Sequence, residues 1–416
     1  MDFYTAVLYL NYLVQIIFIL LGAYYFTISL FSFIPRRVVD AEKSDADLHS
    51  FALVVAAHNE EIVIENMVKS LKSLDYPSDK FDIFVIADNC TDDTAEIARK
   101  AGAIVHERFV PEKDKRGKGH ALEWMFEKLY ALEKKYDYVA VFDADNVVHK
   151  NFLTEMNKET QRGSLAVQGY IDSKNPDDSW VTYSYSLAFW VINQLFQKSR
   201  YNLKLGCQLC GTGFAIQMDL LRKIGWRSTC LTEDMEFTMR LAMNDIKVSY
   251  ASGAVVYDEK PITFQQSWEQ RKRWMQGHAD VASRFVVPLV KKAFKEKNIA
   301  PLDCALYLLQ PVRIITMGMI TFMAWVESAY PDLNLVIWGI VPASVWNSVV
   351  IFQLLWTPAI LIMENRLCKN FVLRYFAYMI YCISWVPIAF IGIINRNEKE
   401  WFHTKHTRGI SIEEVV

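Results

Sequence analysis

Two aspartates separated by one residue close an apolar run in the middle of the chain. They are Asp143 and Asp145, and the apolar run is residues 138–142. In an extended strand, side chains two residues apart point to the same face, so both carboxylates can reach one divalent cation. A Mg²⁺ or Mn²⁺ ion held there would neutralise a diphosphate. Such a pair also occurs as solvated turn acids, but its position at the end of a buried strand favours diphosphate binding.

Polar residues also follow two other apolar runs. The first run ends in Ala57, and Asn59 and Glu61 come next; the second, residues 81–87, is followed by Asp88. Polar groups at the ends of strands can accept hydrogen bonds from a nucleotide base or ribose. We therefore predict nucleotide contacts at these positions, with Asp88 as the strongest candidate.

A basic, glycine-containing segment lies between the second and third runs. It reads Arg116-Gly117-Lys118-Gly119. Flexible backbone and positive charge together are suited to phosphate groups. An ordinary basic loop would have the same composition, so the segment becomes informative only beside the aspartate pair.

An acidic segment and an aromatic, cationic segment come later in the chain. They are Thr232-Glu233-Asp234 and Gln270-Arg271-Lys272-Arg273-Trp274. Joining two sugars by direct displacement needs a base for the acceptor hydroxyl, and Asp234 is the candidate. Arg273 could stabilise a departing diphosphate, and Trp274 could stack on an acceptor sugar. Taken singly, Asp234 could cap a helix and Trp274 could anchor at a membrane interface.

The elements that must position these residues alternate in type. Residues 51–57, 81–87 and 138–142 have the composition of buried strands, and residues 60–74 and 92–101 have helical patterns. Apolar strands joined by helices predict a mostly parallel, doubly wound sheet of the α/β class. In such a sheet the ligand site lies beyond the carboxyl ends of the strands.

The ends of the chain have a different composition. The 416 residues include 45 Lys plus Arg and 47 Asp plus Glu, a balance that gives no field directed at nucleic acid, but 52% are hydrophobic. Residues 3–34 carry no charge and are long enough for one membrane crossing, which Pro35-Arg36-Arg37 ends. The positive-inside tendency then places the following segment in the cytoplasm and the N-terminus outside.

Basic and aromatic residues interleave after the sheet region, and two long apolar stretches follow. Residues 302–329 and 333–363 are joined by Tyr330-Pro331-Asp332, which predicts a membrane hairpin. Arg313 lies inside the first stretch, where its charge should face a polar path or a partner. The predicted division is an N-terminal membrane helix 1–37, a cytosolic catalytic domain 45–260, amphipathic interface helices 261–300, a membrane hairpin 301–363, an interfacial segment 364–397 and a cytosolic tail 398–416.

At this point the chain resembles the family 2 processive inverting glycosyltransferases, the group of cellulose, chitin and hyaluronan synthases. The resemblance rests on an ordered set of motifs over roughly residues 51–285, which is more specific than any one of them. The set is Asp88, Asp143-x-Asp145, Thr232-Glu233-Asp234 and Gln270-x-x-Arg273-Trp274.

The resemblance implies a GT-A fold and a role for each matched residue. On the donor side it implies contact of Asp88 with uracil, of Lys118 with the diphosphate and of Asp145, with Asp143 nearby, with the metal. In the Thr232-Glu233-Asp234 motif it implies Asp234 as the catalytic base. It further implies that Cys210, Gly211 and Thr212 form the acceptor floor, and that Gln270, Arg273 and Trp274 meet the acceptor terminus and the pyrophosphate.

The C-terminal segment Trp401-Phe402-His403-Thr404-Lys405-His406 is similar to the family's gating loop, in which a Trp and a Thr close over the nucleotide. Trp401 and Thr404 would then be donor contacts in the cytosol. If residues 371–394 crossed the membrane, Trp401 would be left outside. We therefore predict that this stretch lies at the cytosolic interface and that the chain crosses three times.

The activity implied is polymerisation of a UDP-sugar into a β-linked polysaccharide, in a multi-pass protein of the plasma membrane. UDP-glucose is the predicted donor, giving a β-glucan, and UDP-N-acetylglucosamine, giving a chitin-, poly-N-acetylglucosamine- or hyaluronan-type polymer, is the next. The partners are the growing polysaccharide and the lipid bilayer, without nucleic acid, and a homo-oligomer is left open. The alternatives are a single transfer to a lipid acceptor and a non-catalytic nucleotide-sugar-binding transporter.

Overall fold

The computed structural model describes residues 2–34, 48–112, 115–337, 355–398, 406 and 408–415. The strands are β1 Phe51–Ala57, β2 Phe81–Asp88, β3 Ile104–Arg108, β4 Tyr138–Asp143, β5 Val147–Val148, β6 Ala166–Ser173, β7 Phe214–Gln217 and β8 Ser249–Asp258. The helices are α1 Phe3–Leu30, α2 Ile64–Lys72, α3 Thr94–Ala101, α4 Lys118–Ala131, α5 Phe152–Gln161, α6 Trp180–Val191, α7 Ser199–Asn202, α8 Met218–Ile224, α9 Glu233–Met243, α10 Phe264–Glu296, α11 Ile299–Leu308, α12 Gln310–Ala329, α13 Phe371–Ile383 and α14 Trp385–Ile394. A π-helix, Ile192–Lys198, joins α6 to α7, and short 3-10 turns occupy Phe31–Phe33, Ser78–Lys80, Pro331–Leu333 and Ile412–Glu414.

The eight strands form one sheet in the order β3-β2-β1-β4-β7-β6-β8-β5. The three predicted strands are confirmed, and β1 pairs in parallel with both β2 and β4. The prediction of a mostly parallel sheet holds only for the half formed by β3, β2, β1 and β4. The short strand β7 runs antiparallel between β4 and β6, and β5 runs antiparallel to β8. The sheet is therefore mixed.

Helices cover both faces of the sheet, which explains why β1 and β2 are apolar along their whole length. On one face, Leu53, Val55 and Phe142 belong to a core completed by α2 and α5. On the other face, Val54 and Val141 belong to a core completed by α4 and α9. The carboxyl ends of β1, β2 and β4 are thereby fixed side by side.

The first two predicted helices begin later than the sequence pattern indicated, at Ile64 and Thr94. The residues before them form two loops that are bonded to each other. The amide of Glu60 donates to Thr94 Oγ1 at 2.8 Å. Asn59 has a φ of 56°, in the left-handed region that does not continue into a helix.

Within the described residues, three helical stretches are long and apolar enough to cross a membrane, namely Phe3–Phe33, Gln310–Ala329 and Phe371–Ile394. The turn expected at Tyr330-Pro331-Asp332 is present as the 3-10 turn Pro331–Leu333, and most of the second hairpin arm lies outside the described residues. The first arm begins later than predicted, because residues up to 308 form the separate helix α11. Asp303 on α11 makes a buried ion pair with Arg200, 2.8 Å from Arg200 Nε to Asp303 Oδ2, which holds α11 against the catalytic domain.

The interface region also differs from the prediction of several amphipathic helices, since α10 is one helix of 33 residues. Its middle is in close contact with two other elements. A Cβ built on Gly277 would lie 2.5 Å from Thr232 Oγ1, and one built on Gly392 would lie 2.4 Å from the Cβ of Met275. Helix α10 is therefore packed between the loop before α9 and the C-terminal helix α14.

Candidate active site

A cavity of about 1410 Å³ opens at the carboxyl ends of β1, β2 and β4. Ala57, Asp88 and Asp143 line it at the sheet edge, and Tyr25 and Arg313 line it at the membrane helices. A single space thus joins the predicted nucleotide site to the membrane part of the chain.

Asp143 is the last residue of β4, and its carboxylate contacts the ammonium group of Lys118. Lys118, the first residue of α4, lies with its Nζ 2.5 Å from Asp143 Oδ1 and 2.6 Å from the carbonyl oxygen of Gly211. Burial raises the pKa of Asp143, and Lys118 offsets part of that rise. The predicted phosphate-binding lysine therefore lies against the first aspartate of the pair.

Asp145 is 6% exposed and is held by neighbours on three sides. Its Oδ2 accepts a hydrogen bond from the amide of Glu259 at 3.1 Å and lies 3.6 Å from Nε2 of His406. Burial alone would raise the pKa of Asp145, but His406 and Lys174 outweigh it and lower that pKa. The carboxylate is thus kept ionised, as a metal ligand must be.

The donor set fits a hard divalent cation. Mg²⁺ is usually bound by one or two carboxylates together with substrate phosphates, so Asp143 and Asp145 suffice as the protein's share. Among the described residues no three His, Cys, Asp or Glu side chains are already grouped as a metal cage. Sequence reasoning quoted His406 within the C-terminal motif without giving it a role.

His406 itself bridges two acids of the site. Its Nδ1 lies 2.9 Å from Glu60 Oε1, in the loop after β1. Burial would lower the pKa of His406, but Asp145 and Glu60 raise it to about 10. His406 is therefore held at the carboxyl edge of the sheet by charge.

Asp234 is placed in the cavity by the first turn of α9. Its Oδ1 accepts from the amide of Met235 at 2.8 Å, and a Cβ built on Gly211 would lie 3.6 Å from its Oδ2. Burial, followed by the negative charge of Glu233, raises the pKa of Asp234 to about 7. A carboxylate with this pKa is matched to proton abstraction near neutral pH. Thr232 and Glu233 line the same cavity.

The three predicted residues of α10 also line the cavity. The hydroxyl of Tyr185 donates to Gln270 Oε1 at 2.6 Å. The ring of Trp274 meets those of Tyr185 and Phe189 edge to face, with centroids 5.7 Å and 6.3 Å apart. The Nε of Arg273 is buried and has no hydrogen-bond partner among the described residues, as suits a donor to a bound anion.

The segment Cys210, Gly211 and Thr212 lines the cavity between the two aspartates and α9. The amide of Asp143 donates to Thr212 Oγ1 at 3.1 Å, and the amide of Cys210 donates to Gln168 Oε1 at 2.9 Å. Gly211 has a φ of 81°, which favours glycine there. This segment is therefore a rigid wall of the cavity.

The nucleotide contacts predicted around β1 and β2 divide into two groups. Ala57 and Asp88 line the cavity, and Asp88 Oδ1 is 2.6 Å from Nη1 of Arg108. Asn59 and Glu61 do not line it, contrary to expectation, because they bond to the loop before α3. Asn59 Oδ1 accepts from the amide of Thr91 at 2.8 Å, and Glu61 Oε2 accepts from the next loop at 3.3 Å.

Several lining residues were missed by sequence reasoning. They carry no motif of their own and come from distant parts of the chain, so only the folded structure brings them together. Helix periodicity could have placed Tyr185 and Phe189 on one face of α6, and nothing in the sequence pointed to the others. These are His58, Glu60, Phe196, Gln208, Asp258, His278, Tyr307, Tyr381 and Trp385. Trp401 and Thr404 lie outside the described residues, so their predicted roles stay predictions.

An α/β sheet of this topology, with paired aspartates, the buried acid Asp234 and cationic side chains in one cavity, is typical of a nucleotide-sugar-dependent glycosyltransferase of the GT-A fold. Residues 49–277 match the family described as glycosyltransferase like family 2. The match covers more than half of the chain, and the protein belongs to this family of inverting glycosyltransferases.

The chain is similar to glycosyltransferases and synthases with different names. A probable glycosyltransferase, YdaM, of Bacillus subtilis (strain 168) is 26% identical over 89% of this chain and 90% of its own length. Poly-beta-1,6-N-acetyl-D-glucosamine synthase of Staphylococcus epidermidis is 25% identical over 70% of this chain and 69% of its own length. Beta-monoglucosyldiacylglycerol synthase of Synechocystis is 29% identical over 54% of this chain and 47% of its own.

A solved structure shares the fold over nearly the whole chain. The mannosyltransferase PcManGT from Pyrobaculum calidifontis, in complex with GDP-Man and Mn²⁺, superposes with a TM-score of 0.57 at 18% identity. The superposition covers 92% of this chain and 98% of that one. The likeness in fold therefore extends beyond residues 49–277.

Proposed function

We propose that the protein is a processive β-glycosyltransferase that polymerises a UDP-sugar and feeds the product into the membrane. One observation carries the proposal. A single cavity contains the aspartate pair, the base Asp234 and the stacking residue Trp274, and it continues to Tyr25 and Arg313 on the membrane helices.

The geometry supports a direct displacement. Asp234 takes the proton of the acceptor hydroxyl while that oxygen attacks the anomeric carbon on the side opposite the diphosphate. The C–O bond to the acceptor forms as the bond to UDP breaks, and an α-linked donor gives a β-linked product. Lys118 and Arg273 stabilise the negative charge that develops on the leaving diphosphate.

Asp143 and Asp145 would hold the divalent cation. Its chemistry there is to neutralise the diphosphate and make UDP a better leaving group. Lys118 would contact the same diphosphate, since its Nζ is 2.5 Å from Asp143 Oδ1.

The membrane arrangement proposed has the catalytic domain in the cytosol and residues 371–394 at its interface. In support, Arg374 pairs with Asp177, and Arg366 pairs with Asp172 just before α13. Arg271 of α10 donates to Ser384 Oγ at 2.8 Å. These polar contacts tie the stretch to the catalytic domain, although its length and apolar composition would also allow a crossing.

Two donors are candidates. The run from Tyr257 to Pro261 and the Gln270-to-His278 segment resemble β-glucan synthases and favour UDP-glucose. The staphylococcal poly-N-acetylglucosamine synthase, similar over 70% of this chain, favours UDP-N-acetylglucosamine. A donor panel with linkage analysis of the product decides between them.

A second function, a single transfer to a lipid, is favoured by the similarity to a glucosyldiacylglycerol synthase. The purified full-length enzyme, incubated with labelled donor, should give a polymer resistant to lipid extraction. A single-sugar lipid as the sole product would overturn the proposal. The Asp234→Asn variant is the control, because it should bind UDP and make neither product.

A further inference from the structure

Arg108, the last residue of β3, is a buried cation beside Asp88 at the edge of the cavity. Strand β3 pairs in parallel with β2 and sets Arg108 opposite Asp88. Nη1 of Arg108 donates to Asp88 Oδ1 at 2.6 Å, and Nη2 donates to the carbonyl oxygen of Lys115 at 2.8 Å. Because taking both charges out of water is costly, a buried pair of this kind is weak evidence of stability. What these bonds do fix is the orientation of the carboxylate.

The contacts of Asp88 leave one of its oxygens for a ligand. Oδ1 accepts from Arg108 and also from Nδ2 of Asn89, at 2.9 Å. Oδ2 makes no hydrogen bond within the described part of the chain, although Asp88 is only 5% exposed and lines the cavity. An ionised carboxylate can accept hydrogen bonds but cannot donate them. Asp88 therefore presents a single, oriented acceptor to the cavity.

The place of Asp88 in the sheet fits contact with a base. In the strand order, β1 separates β2 from β4, so Asp88 and Asp143 end strands that are two positions apart. Neighbouring strands are about 4.8 Å apart, which puts the two carboxylates roughly 10 Å from each other across the sheet. With the diphosphate at Asp143, the ribose comes next along this edge, over β1, and the base follows at β2. His58, in the loop after β1, also lines the cavity.

We propose that Arg108 is a positioning residue that selects the base of the nucleotide through Asp88. By holding Oδ1, Arg108 leaves Oδ2 to accept from a ring N–H, and the N3–H of uracil supplies it. Cytosine has the same ring size, but its N3 carries only a lone pair, which Oδ2 repels. A site built to bond an N–H rejects an analogue that lacks it. This inference rests on the proposed function, in which the donor is a UDP-sugar, and adds the residue that excludes cytosine.

The first test measures the Kd values of UDP and CDP for the purified full-length enzyme in the presence of Mn²⁺. The wild type should bind UDP at least about tenfold more tightly than CDP, the effect of one hydrogen bond to a charged group. In Arg108→Met the carboxylate of Asp88 can turn, so the preference should shrink to less than about threefold. KM for the UDP-sugar should rise about tenfold and kcat should change less than about twofold, since the base contact is the same before and during the reaction.

The second test is Asp88→Asn, because an amide has one accepting end and one donating end. Arg108 should still donate to the amide oxygen, which places the NH₂ group where Oδ2 was. This group donates to the N3 lone pair of cytosine and opposes the N3–H of uracil, so the enzyme should now prefer CDP by about tenfold. In the double variant with Arg108→Met the amide can turn over, and the inverted preference should be lost.

Arg99→Met is the matched control. Arg99 on α3 pairs with Glu107 of β3, its side chain is 49% exposed and it does not line the cavity, so its variant should keep the wild-type preference and KM. Should Arg108→Met fail to fold in a melting curve, Asp88→Asn alone decides, because its inversion requires Arg108 at the amide oxygen.

Equal binding of UDP and CDP by the wild type would overturn the role of Arg108 while leaving polymer synthesis intact. An Asp88→Asn variant that still prefers UDP, or a folded Arg108→Met variant that keeps the wild-type preference, would do the same. An enzyme that shows the preference and its inversion but makes no polymer would instead contradict the proposed function alone.

Discussion

The pKa of Asp234 should set the pH at which the enzyme becomes active, and the charge of Glu233 should raise that pH. Asp234 must be a carboxylate to accept the proton, and its pKa of about 7 means that activity is lost as pH falls through 7. About a tenth of the enzyme is then competent at pH 6 and about nine-tenths at pH 8, a roughly tenfold rise in kcat/KM. Removing the neighbouring charge by Glu233→Gln should lower the pKa of Asp234, because two adjacent anions disfavour each other.

The midpoint of the pH profile should fall only part of the way toward the ordinary pKa of an aspartate in the Glu233→Gln variant. Burial is the larger cause of the raised pKa and stays in the variant, so the midpoint should fall by on the order of one pH unit and remain above 3.8. The assay is the pH profile of kcat/KM for UDP release, measured at saturating metal. Glu96→Gln is the control. This substitution removes the same charge, but Glu96 is exposed on α3 and does not line the cavity. An unchanged profile in Glu233→Gln would refute the assignment of Asp234 as the titrating base.

Two further predictions concern the metal and the packing of α10. Chelation by EDTA should abolish transfer, and added Mn²⁺ or Mg²⁺ should restore it, because we propose that Asp143 and Asp145 hold the cation that binds the diphosphate. Undiminished turnover in EDTA would count against this proposal. Gly277→Ala should lower kcat about 10- to 100-fold, because its Cβ would displace Thr232 and with it Asp234, while Gly206→Ala, with open space around its Cβ, should be neutral. Steady-state kinetics with a melting curve for each variant separates this displacement from unfolding.

The strands that carry the donor site could be predicted because their signal is local. Residues 51–57 and 138–142 are continuous apolar runs, which the structure buries on both faces. The direction of β7 could not be predicted, since Phe214–Gln217 is four residues long and its antiparallel pairing is decided by β4 and β6. The break between α11 and α12 falls at Leu309, where α12 begins with Pro311 in its first turn, and it was missed because mean hydropathy over the apolar run does not register a helix start.

Asp143 and Asp234 could be singled out because they lie at the end of β4 and in the first turn of α9, whereas Trp274 was singled out by its motif inside α10. Asp143, Asp234 and Trp274 line one cavity as expected. Asn59 and Glu61 were misplaced, because a polar run after a strand does not tell which side chains face the ligand and which bond to the next loop. His58 and Glu60, which alternate with Asn59 and Glu61 along the chain, line the cavity instead.

The segment that matches the family ends at residue 277, but residues outside that segment also line the cavity. Tyr25, Arg313, Trp385 and His406 all line the cavity, and each lies outside the matched segment. A chimera that exchanges only residues 49–277 between two relatives would graft one enzyme's donor chemistry onto the other's acceptor wall. Product size in such a hybrid is expected to follow the source of the helices, and the sugar incorporated is expected to follow the source of the insert.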